Sequence, residues 1–133
     1  IVSIHQPCYL PWLPLMWRIA RSDVHIVLDH VQFEKNGYSN RNDIRTPNGV
    51  CRLTVPVSTH GKFGNLILRE VEIADSRWAS KHLRTILQAY AKAPYLPRYR
   101  PLLESIFIYP WPRLDDLIQS MNQSLLFPAF RID

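Results

Sequence analysis

The chain has 133 residues, of which 47% are hydrophobic and 20% charged, proportions that are ordinary for a soluble globular protein. Its 16 Lys and Arg residues outnumber its 11 Asp and Glu residues, and the net charge of +5 favours anionic partners such as phosphates, nucleotide-linked substrates, nucleic acid or an anionic membrane surface. No apolar run reaches the roughly 20 residues that a membrane span needs, no signal peptide is visible, and two cysteines are too few for a disulfide framework. We therefore expect one cytoplasmic domain over residues 1–133.

The segment from Val2 to Phe33 predicts a strand, a loop, a helix and a second strand. Val2 to Ile4 is a short run rich in β-branched residues. Leu13 to Ala20 is mostly apolar, and Pro11 and Pro14 suit the start of a helix, where the first N–H groups lack intrahelical partners. The next run, VHIVLD, is typical of a strand with both faces covered. We expect the two strands to be parallel neighbours that end at the same edge of a sheet.

Open α/β sheets bind their ligands outside the carboxyl edge of the strands, so we expect a site where both strands end. The side chains predicted to meet there, or to lie on the first loop, are His5, Gln6, Cys8, Tyr9, Trp12, Asp29, His30 and Gln32. Of these, His5 and Asp29 are predicted to be catalytic. An imidazole can act as a general base or bind a phosphate near neutral pH, and the carboxylate could orient that imidazole or bind a ribose or a metal.

Two other interpretations of this edge remain open. The polar residues of the first loop could simply hydrogen-bond its backbone, with its aromatic rings packed in the core. Alternatively, His5 and Cys8 are three residues apart and could join Asp29 or His30 in a zinc site. Pairs with this spacing are common by chance, so we expect no metal site.

A polar loop from Glu34 to Asn42 is predicted to follow the second strand, and loops in this position often carry function. The sequence PNG then lies between two strand-like runs, Asp43–Thr46 and Val50–Val57, which is a strong signal for a β-hairpin. Pro56 favours an edge position or a strand end, because proline cannot donate a hydrogen bond to the ladder.

The second half of the chain predicts one more strand segment and several helices. Leu66 to Ile73 reads as strand, and Asp75 or Ser76 can cap a long helix from Arg77 to about Lys92. The residues at helical spacing that should face the core are Ala79, Leu83, Ile86, Leu87 and Tyr90. A second stripe of the same helix is basic and is either a solvated face or an anion-binding surface: Arg77, Lys81, Arg84 and Lys92.

After Tyr95 the chain is rich in proline and aromatic residues. Pro101 to Phe107 predicts a short helix, and FPAFRID at the end of the chain could begin a strand. A last helix is expected to bury Leu114, Leu117, Ile118, Met121 and Leu125. Together the elements predict an α/β domain with a small, open, mostly parallel sheet that starts with a βαβ unit, an inserted β-hairpin and flanking helices.

Several of these motifs, in this order, closely resemble the WbqC-like protein family, bacterial proteins associated with polysaccharide and O-antigen gene clusters. The runs that carry the resemblance are IHQPCYLPW, SDVHIVLDHVQFEKNGYSNRNDIRTPNG, LTVPV and KHLRTILQAYAKAPYLPRY. The resemblance implies a cytoplasmic protein of surface polysaccharide biosynthesis. It would act on a nucleotide-activated or amino sugar, through acyl, aminoacyl or nucleotidyl transfer.

The expected partner is therefore an anionic small molecule, either a nucleotide sugar or an acyl donor, and the sequence identifies no cofactor and no oligomeric state. The residues expected to bind the substrate are Gln6, Tyr9, Trp12, Gln32, Asn40, Arg41 and Arg45. An arginine can hold a phosphate through two parallel hydrogen bonds. The chain departs from the family in having Cys8 where a polar residue is common, which argues against a cysteine nucleophile. It also lacks a Gly-rich turn, so we expect the C-terminal part of the family fold to be missing.

Two non-catalytic functions stay open beside the enzyme. A basic module could bind nucleic acid or an anionic glycan through Tyr95, Arg98, Tyr99 and Arg100, since interleaved rings and cations support stacking and phosphate contacts. Nucleic acid is the less favoured of these partners, because no nucleic-acid-binding motif is present. The chain could also be an inactive, truncated relative that acts through protein contacts.

Overall fold

The computed structural model describes residues 1–61 and 64–132, and its first elements form a parallel β pair. Strands β1 (Val2–His5) and β2 (Val24–Val27) pair in register and are joined by helix α1 (Leu13–Ala20). The N–H of Leu28 donates to the carbonyl of His5 at 2.9 Å, so the two strands end side by side. The predicted strand, helix and strand unit is confirmed, with its carboxyl edge where the sequence placed it.

One face of this pair is apolar and exposed. Four aliphatic side chains lie side by side on it, with 43% to 59% of their surface exposed: Val2, Ile4, Val24 and Ile26. The other face carries Ser3, whose Oγ lies 2.8 Å from Nδ1 of His25. The expectation that both faces are covered is therefore wrong for the described residues. Successive side chains alternate between the two faces of a strand, and in this pair Ser3 and His25 lie on the inner face while the aliphatic residues lie on the outer one.

The predicted hairpin consists of β3 (Arg41–Thr46) and β4 (Gly49–Thr54), paired antiparallel. Pro47 and Asn48 form the two-residue turn, and Gly49 follows with a φ of +109°, a conformation that a side chain would strain. This result confirms the hairpin, although the first arm begins two residues earlier than predicted and the second ends before Pro56.

A short antiparallel pair, β5 (Val57–Ser58) with β6 (Glu72–Ile73), follows the hairpin. The predicted strand from Leu66 to Ile73 is wrong in its middle, where Leu68–Glu70 forms a 3₁₀ turn. Leu68 and Val71 are both fully buried, and side chains three residues apart share one side of a 3₁₀ turn but not of a strand. The α/β class is confirmed, and parallel pairing in the described chain is confined to β1 and β2.

The helices of the second half are α2 (Arg77–Ala89), α3 (Leu96–Ile108), α4 (Leu114–Met121) and α5 (Phe127–Phe130), with a π-helical turn at Asn122–Leu126. The N-cap residue of α2 is Ser76, whose side chain makes no capping hydrogen bond, while the carboxylate of Asp75 accepts from the N–H of Arg77, the first residue of the helix, at 2.9 Å. Among the described residues, no helix is both long enough and apolar enough to cross a membrane.

Two helical predictions need correction. Helix α3 begins at Leu96 rather than at Pro101, which lies inside it. Pro97 opens this helix, and the burial of Leu103, Ile106 and Phe107 offsets the one backbone hydrogen bond that Pro101 cannot donate. The C-terminal sequence FPAF is helical, not the start of a strand.

The main core extends from Tyr9 in the first loop to Leu125 after α4, and both residues are buried. The five residues predicted for the core face of the last helix are all buried there, at 0% to 8% exposure: Leu114, Leu117, Ile118, Met121 and Leu125. A smaller cluster packs Leu15, Met16 and Ile19 of α1 against the aromatic rings of α5. The first loop therefore lies between two packed clusters, and it carries the candidate site.

Candidate functional site

A cavity of about 490 Å³ opens where β1 ends, beside the loop before α1 and the start of β3. This volume is within the range of small-molecule sites. The side chains that line it are His5, Cys8, Pro11, Trp12, Tyr38, Asn42 and Asp43. We refer to it as the His5 cavity.

The imidazole of His5 is held by the backbone beside it. Its Nδ1 lies 2.7 Å from the carbonyl oxygen of Gln6, and a carbonyl can only accept, so Nδ1 carries the hydrogen. Nε2 then has the free lone pair, and no described residue donates to it. This arrangement leaves one basic nitrogen available to a ligand, in a fixed tautomer.

The thiol of Cys8 is a second group in the cavity. Its Sγ lies 3.5 Å from the carbonyl oxygen of Gln6 and 3.7 Å from Nδ1 of His5. Because Nδ1 is itself a donor, the thiol donates to the carbonyl rather than to the ring. Burial raises the pKa of Cys8 to about 11, so the thiol is neutral at physiological pH. Cys8 is therefore a neutral part of the wall, not an activated nucleophile.

Two exposed rings, those of Trp12 and Tyr38, form the aromatic part of the cavity, with 62% and 58% of their surface exposed. The loop that carries Trp12 has an unusual conformation, since Leu10 has a φ of +47° although it is not glycine. The side-chain amide of Asn42 donates to the carbonyl of Leu10 and holds this turn. Asn42 therefore anchors the backbone of the loop that carries Trp12.

The carboxylate of Asp43 is the acidic group of the cavity. Nε and Nη2 of Arg52, on the neighbouring strand, donate to its two oxygens at 2.7 Å and 2.9 Å. These hydrogen bonds lower the pKa of Asp43, so the carboxylate is ionised at neutral pH. Each oxygen keeps a free lone pair, and the carboxylate can accept further hydrogen bonds from a ligand.

A family model described as the WbqC-like protein family matches residues 6–132. The chain belongs to the WbqC-like family. It is 35% identical over 107 residues to the uncharacterized protein Rv1507c of Mycobacterium tuberculosis, a match that covers 80% of this chain and 46% of the relative. This chain thus spans about half the length of that relative. No solved structure matches it.

In this WbqC-like chain the cavity brings together some of the residues that the sequence predicted and leaves others apart. His5 and Trp12 line it, and Gln6 contributes its backbone carbonyl. Tyr9 is fully buried, and its hydroxyl lies 2.9 Å from Nδ1 of His82. Asn40 is also buried, and its amide donates to the carbonyl of Val55 at 3.0 Å.

The remaining predicted residues are not among those that line the cavity. The guanidinium of Arg41 donates to the carbonyls of Gly37, at 3.1 Å, and Asn36. Arg45 is exposed on the hairpin. Asp29, at the predicted edge, lies 3.7 Å from Nδ1 of His30. Gln32 forms an isolated antiparallel bridge with Ile67. Gln32 is therefore held in place by backbone pairing.

Within residues 1–61 and 64–132, no group of three or more His, Cys, Asp or Glu side chains is arranged to hold a metal ion. Sequence reasoning did not select three residues that line the cavity, Tyr38, Asn42 and Asp43, nor Arg52, which pairs with Asp43. For the last two a signal existed, because a hairpin with a two-residue turn at Pro47 and Asn48 places Asp43 opposite Arg52.

Proposed function

We propose that this chain is a cytoplasmic transferase of bacterial surface polysaccharide biosynthesis, acting on a nucleotide-activated or amino sugar in the His5 cavity. The observation that carries the proposal is the free Nε2 of His5, in a fixed tautomer, at the carboxyl edge of a parallel strand pair. Membership of the WbqC-like family supports the pathway, because the resemblance to that family implies a role in surface polysaccharide biosynthesis.

In the proposed reaction His5 is the general base. Nε2 accepts the proton of a sugar hydroxyl or neutral amino group while that oxygen or nitrogen forms a bond to the carbonyl carbon of an acyl donor. The bond between the carbonyl carbon and the leaving group then breaks, and His5 returns the proton to the leaving group. The carbonyl of Gln6 stabilises the imidazolium in between, because it accepts from Nδ1. The orienting role expected of Asp29 stays a prediction.

A thermal-shift screen of nucleotides, nucleotide sugars and acyl donors tests this function, because a ligand that binds only the folded state raises the melting temperature. We expect stabilisation by a nucleotide sugar or an acyl donor, followed by transfer activity that is lost in His5→Ala. His30→Ala is the matched control, since this exposed histidine follows β2 at the same edge but does not line the cavity. Equal activity of both variants would contradict the role of His5.

A non-catalytic module is the second candidate, and the surface of α2 favours it. Arg77, Lys81 and Arg84 are all exposed on this helix, whereas Lys92, the fourth residue of the predicted basic stripe, lies beyond its end at Ala89. Phosphate contacts release counterions, so binding of a polyanion by this stripe would weaken steeply with salt. A steep salt dependence of polynucleotide or anionic glycan binding, together with no transfer activity, would favour the module over the enzyme.

A further inference from the structure

The His5 cavity contains a carboxylate but no lysine or arginine among the described residues that line it. Neither Arg41 nor Arg52 is among the residues that line the cavity: Nε and Nη2 of Arg52 donate to Asp43, and Nε and Nη2 of Arg41 donate to loop carbonyls. Phosphates in proteins are held by such cations or by helix N-termini. The charges of this cavity therefore suit a neutral or cationic group better than a phosphate.

The N-terminus of α1 does not replace the missing cation. Pro14 has no N–H, and the N–H groups of Leu15 and Met16 both donate to the carbonyl of Trp12. Leu13 is then the one residue of the first turn whose N–H could reach an anion. A single donor beside an ionised carboxylate is a poor phosphate site.

The groups that are present match a sugar ring. One face of a pyranose presents C–H groups, which are apolar and can cover the exposed indole of Trp12. Its hydroxyl or amino groups are hydrogen-bond donors at the ring edge, and Asp43, held by two hydrogen bonds from Arg52, is an acceptor in a fixed position. The proton that His5 removes in the proposed reaction also belongs to the sugar.

We propose that the His5 cavity binds the pyranose ring of the acceptor, with its apolar face on Trp12 and its donor groups on Asp43, and that phosphates of an activated substrate stay outside. This inference rests on the proposed function for the identity of the reacting group. It differs from the sequence-based expectation that Arg41 and Arg45 bind phosphate at the same site.

Ligand-detected NMR with the full chain tests the proposal, with free glucosamine, free glucose and UMP observed through their protons and inorganic phosphate through phosphorus-31 line broadening. We expect saturation transfer to the ring protons of the sugars, and affinity for glucosamine that falls by about tenfold in Trp12→Ala, as for the loss of the apolar contact with one aromatic ring. Trp17→Ala is the matched control, because Trp17 is 61% exposed on α1 against 62% for Trp12 but does not line the cavity.

A second pair of variants tests the carboxylate. Asp43→Asn should weaken glucosamine binding more than glucose binding, because only the amino sugar carries a positive charge. Asp75→Asn is its control, since Asp75 also pairs with an arginine but lies outside the cavity. Circular dichroism spectra of all four variants show whether each one folds, and a Trp12→Phe variant, which keeps an aromatic ring, should retain most of the affinity if Trp12→Ala does not fold.

The possible outcomes separate a failure of this inference from a failure of the proposed function. Binding of UMP or phosphate that depends on Trp12, without binding of either sugar, would place the nucleotide in the cavity. Sugar binding that is equally strong in Trp12→Ala and Trp17→Ala would place the sugar elsewhere. Sugar binding that depends on Trp12, without transfer from any donor, would support this inference and reject the proposed transferase. Transfer activity that is lost in His5→Ala but kept in Trp12→Ala would support the proposed transferase and reject the placement of the sugar on Trp12.

Discussion

Two histidines of this chain lie in opposite environments. His5 lines an open cavity, with Nδ1 held by a backbone carbonyl and Nε2 free. His82, on α2, is 4% exposed, with Nδ1 2.9 Å from the hydroxyl of Tyr9 and its ring centroid 5.2 Å from that of Trp78. Burial, with a smaller effect of the charge on Lys81, lowers the pKa of His82 to about 4. His82 is therefore a neutral packing group.

The comparison teaches that the surroundings of an imidazole decide its role. The ring of His5 has one nitrogen bonded to a carbonyl and lines an open cavity, whereas the ring of His82 is enclosed in the core. The comparison also shows that the two regions are linked. Tyr9 lies four residues after His5 on the first loop, so the buried bond from Tyr9 to His82 anchors the loop that forms the cavity. The bond to His82 in the core thus helps to hold the first loop in place, and this loop forms part of the cavity that His5 lines.

The largest expected effect is on catalysis. His5→Ala should lower the rate of sugar transfer by about 10²- to 10⁴-fold, the usual contribution of a general base, while it changes the free energy of unfolding by less than about 1 kcal/mol. Steady-state kinetics and urea unfolding measure the two effects. A variant that is active but unstable would show that His5 is a structural residue like His82.

The next effect is the pH dependence that His82 gives to stability. Its pKa is lower in the folded state, about 4, than the ordinary value of 6.5 expected in the unfolded state. The unfolded chain therefore binds the proton first as the pH falls, and up to about 3 kcal/mol of stability is lost between pH 6.5 and 4. Stability should not depend on this group above that window.

His82→Gln isolates this contribution, because the variant lacks the titrating ring but keeps a polar side chain. The difference in unfolding free energy between the parent chain and the variant should shrink steadily from pH 7 to pH 4. Other titrating groups affect both proteins and cancel in the difference. A difference that is constant with pH would show that His82 is protonated equally in the folded and unfolded states.

A smaller effect is expected for the partner of His82. Tyr9→Phe keeps the buried ring but leaves Nδ1 of His82 without a hydrogen bond, which should cost about 1 to 3 kcal/mol of unfolding free energy. Tyr38→Phe is the control, since the same change at an exposed ring should stay within about 0.5 kcal/mol. Equal costs for both variants would mean that the bond between Tyr9 and His82 does not stabilise the core.

The sequence predicted the strand, helix and strand unit because an apolar pattern and two prolines determine it locally, and it predicted the hairpin from PNG. On α2 it correctly placed Ile86 in the core, but it missed the buried Trp78 and His82 and wrongly included Tyr90, which is 39% exposed. With Trp78 and His82 included, the centre of the buried face lies one residue before the predicted positions Ala79 and Leu83. The group that orients His5 was also out of reach, since it is a backbone carbonyl, and no side-chain pattern reports where a carbonyl points.

The smallest expected effect concerns Cys8, whose thiol lies beside His5 and is the alternative candidate for a nucleophile in the cavity. Because burial raises the pKa of its thiol to about 11, almost no thiolate exists at pH 7.5, and iodoacetamide should modify Cys8 more slowly than it modifies glutathione. Cys8→Ser should keep transfer activity within about twofold, since the hydroxyl can donate to the same carbonyl of Gln6. Loss of transfer activity in Cys8→Ser, together with rapid inactivation of the parent chain by iodoacetamide, would reverse the assignment, because the thiol would then be the nucleophile and His5 its base.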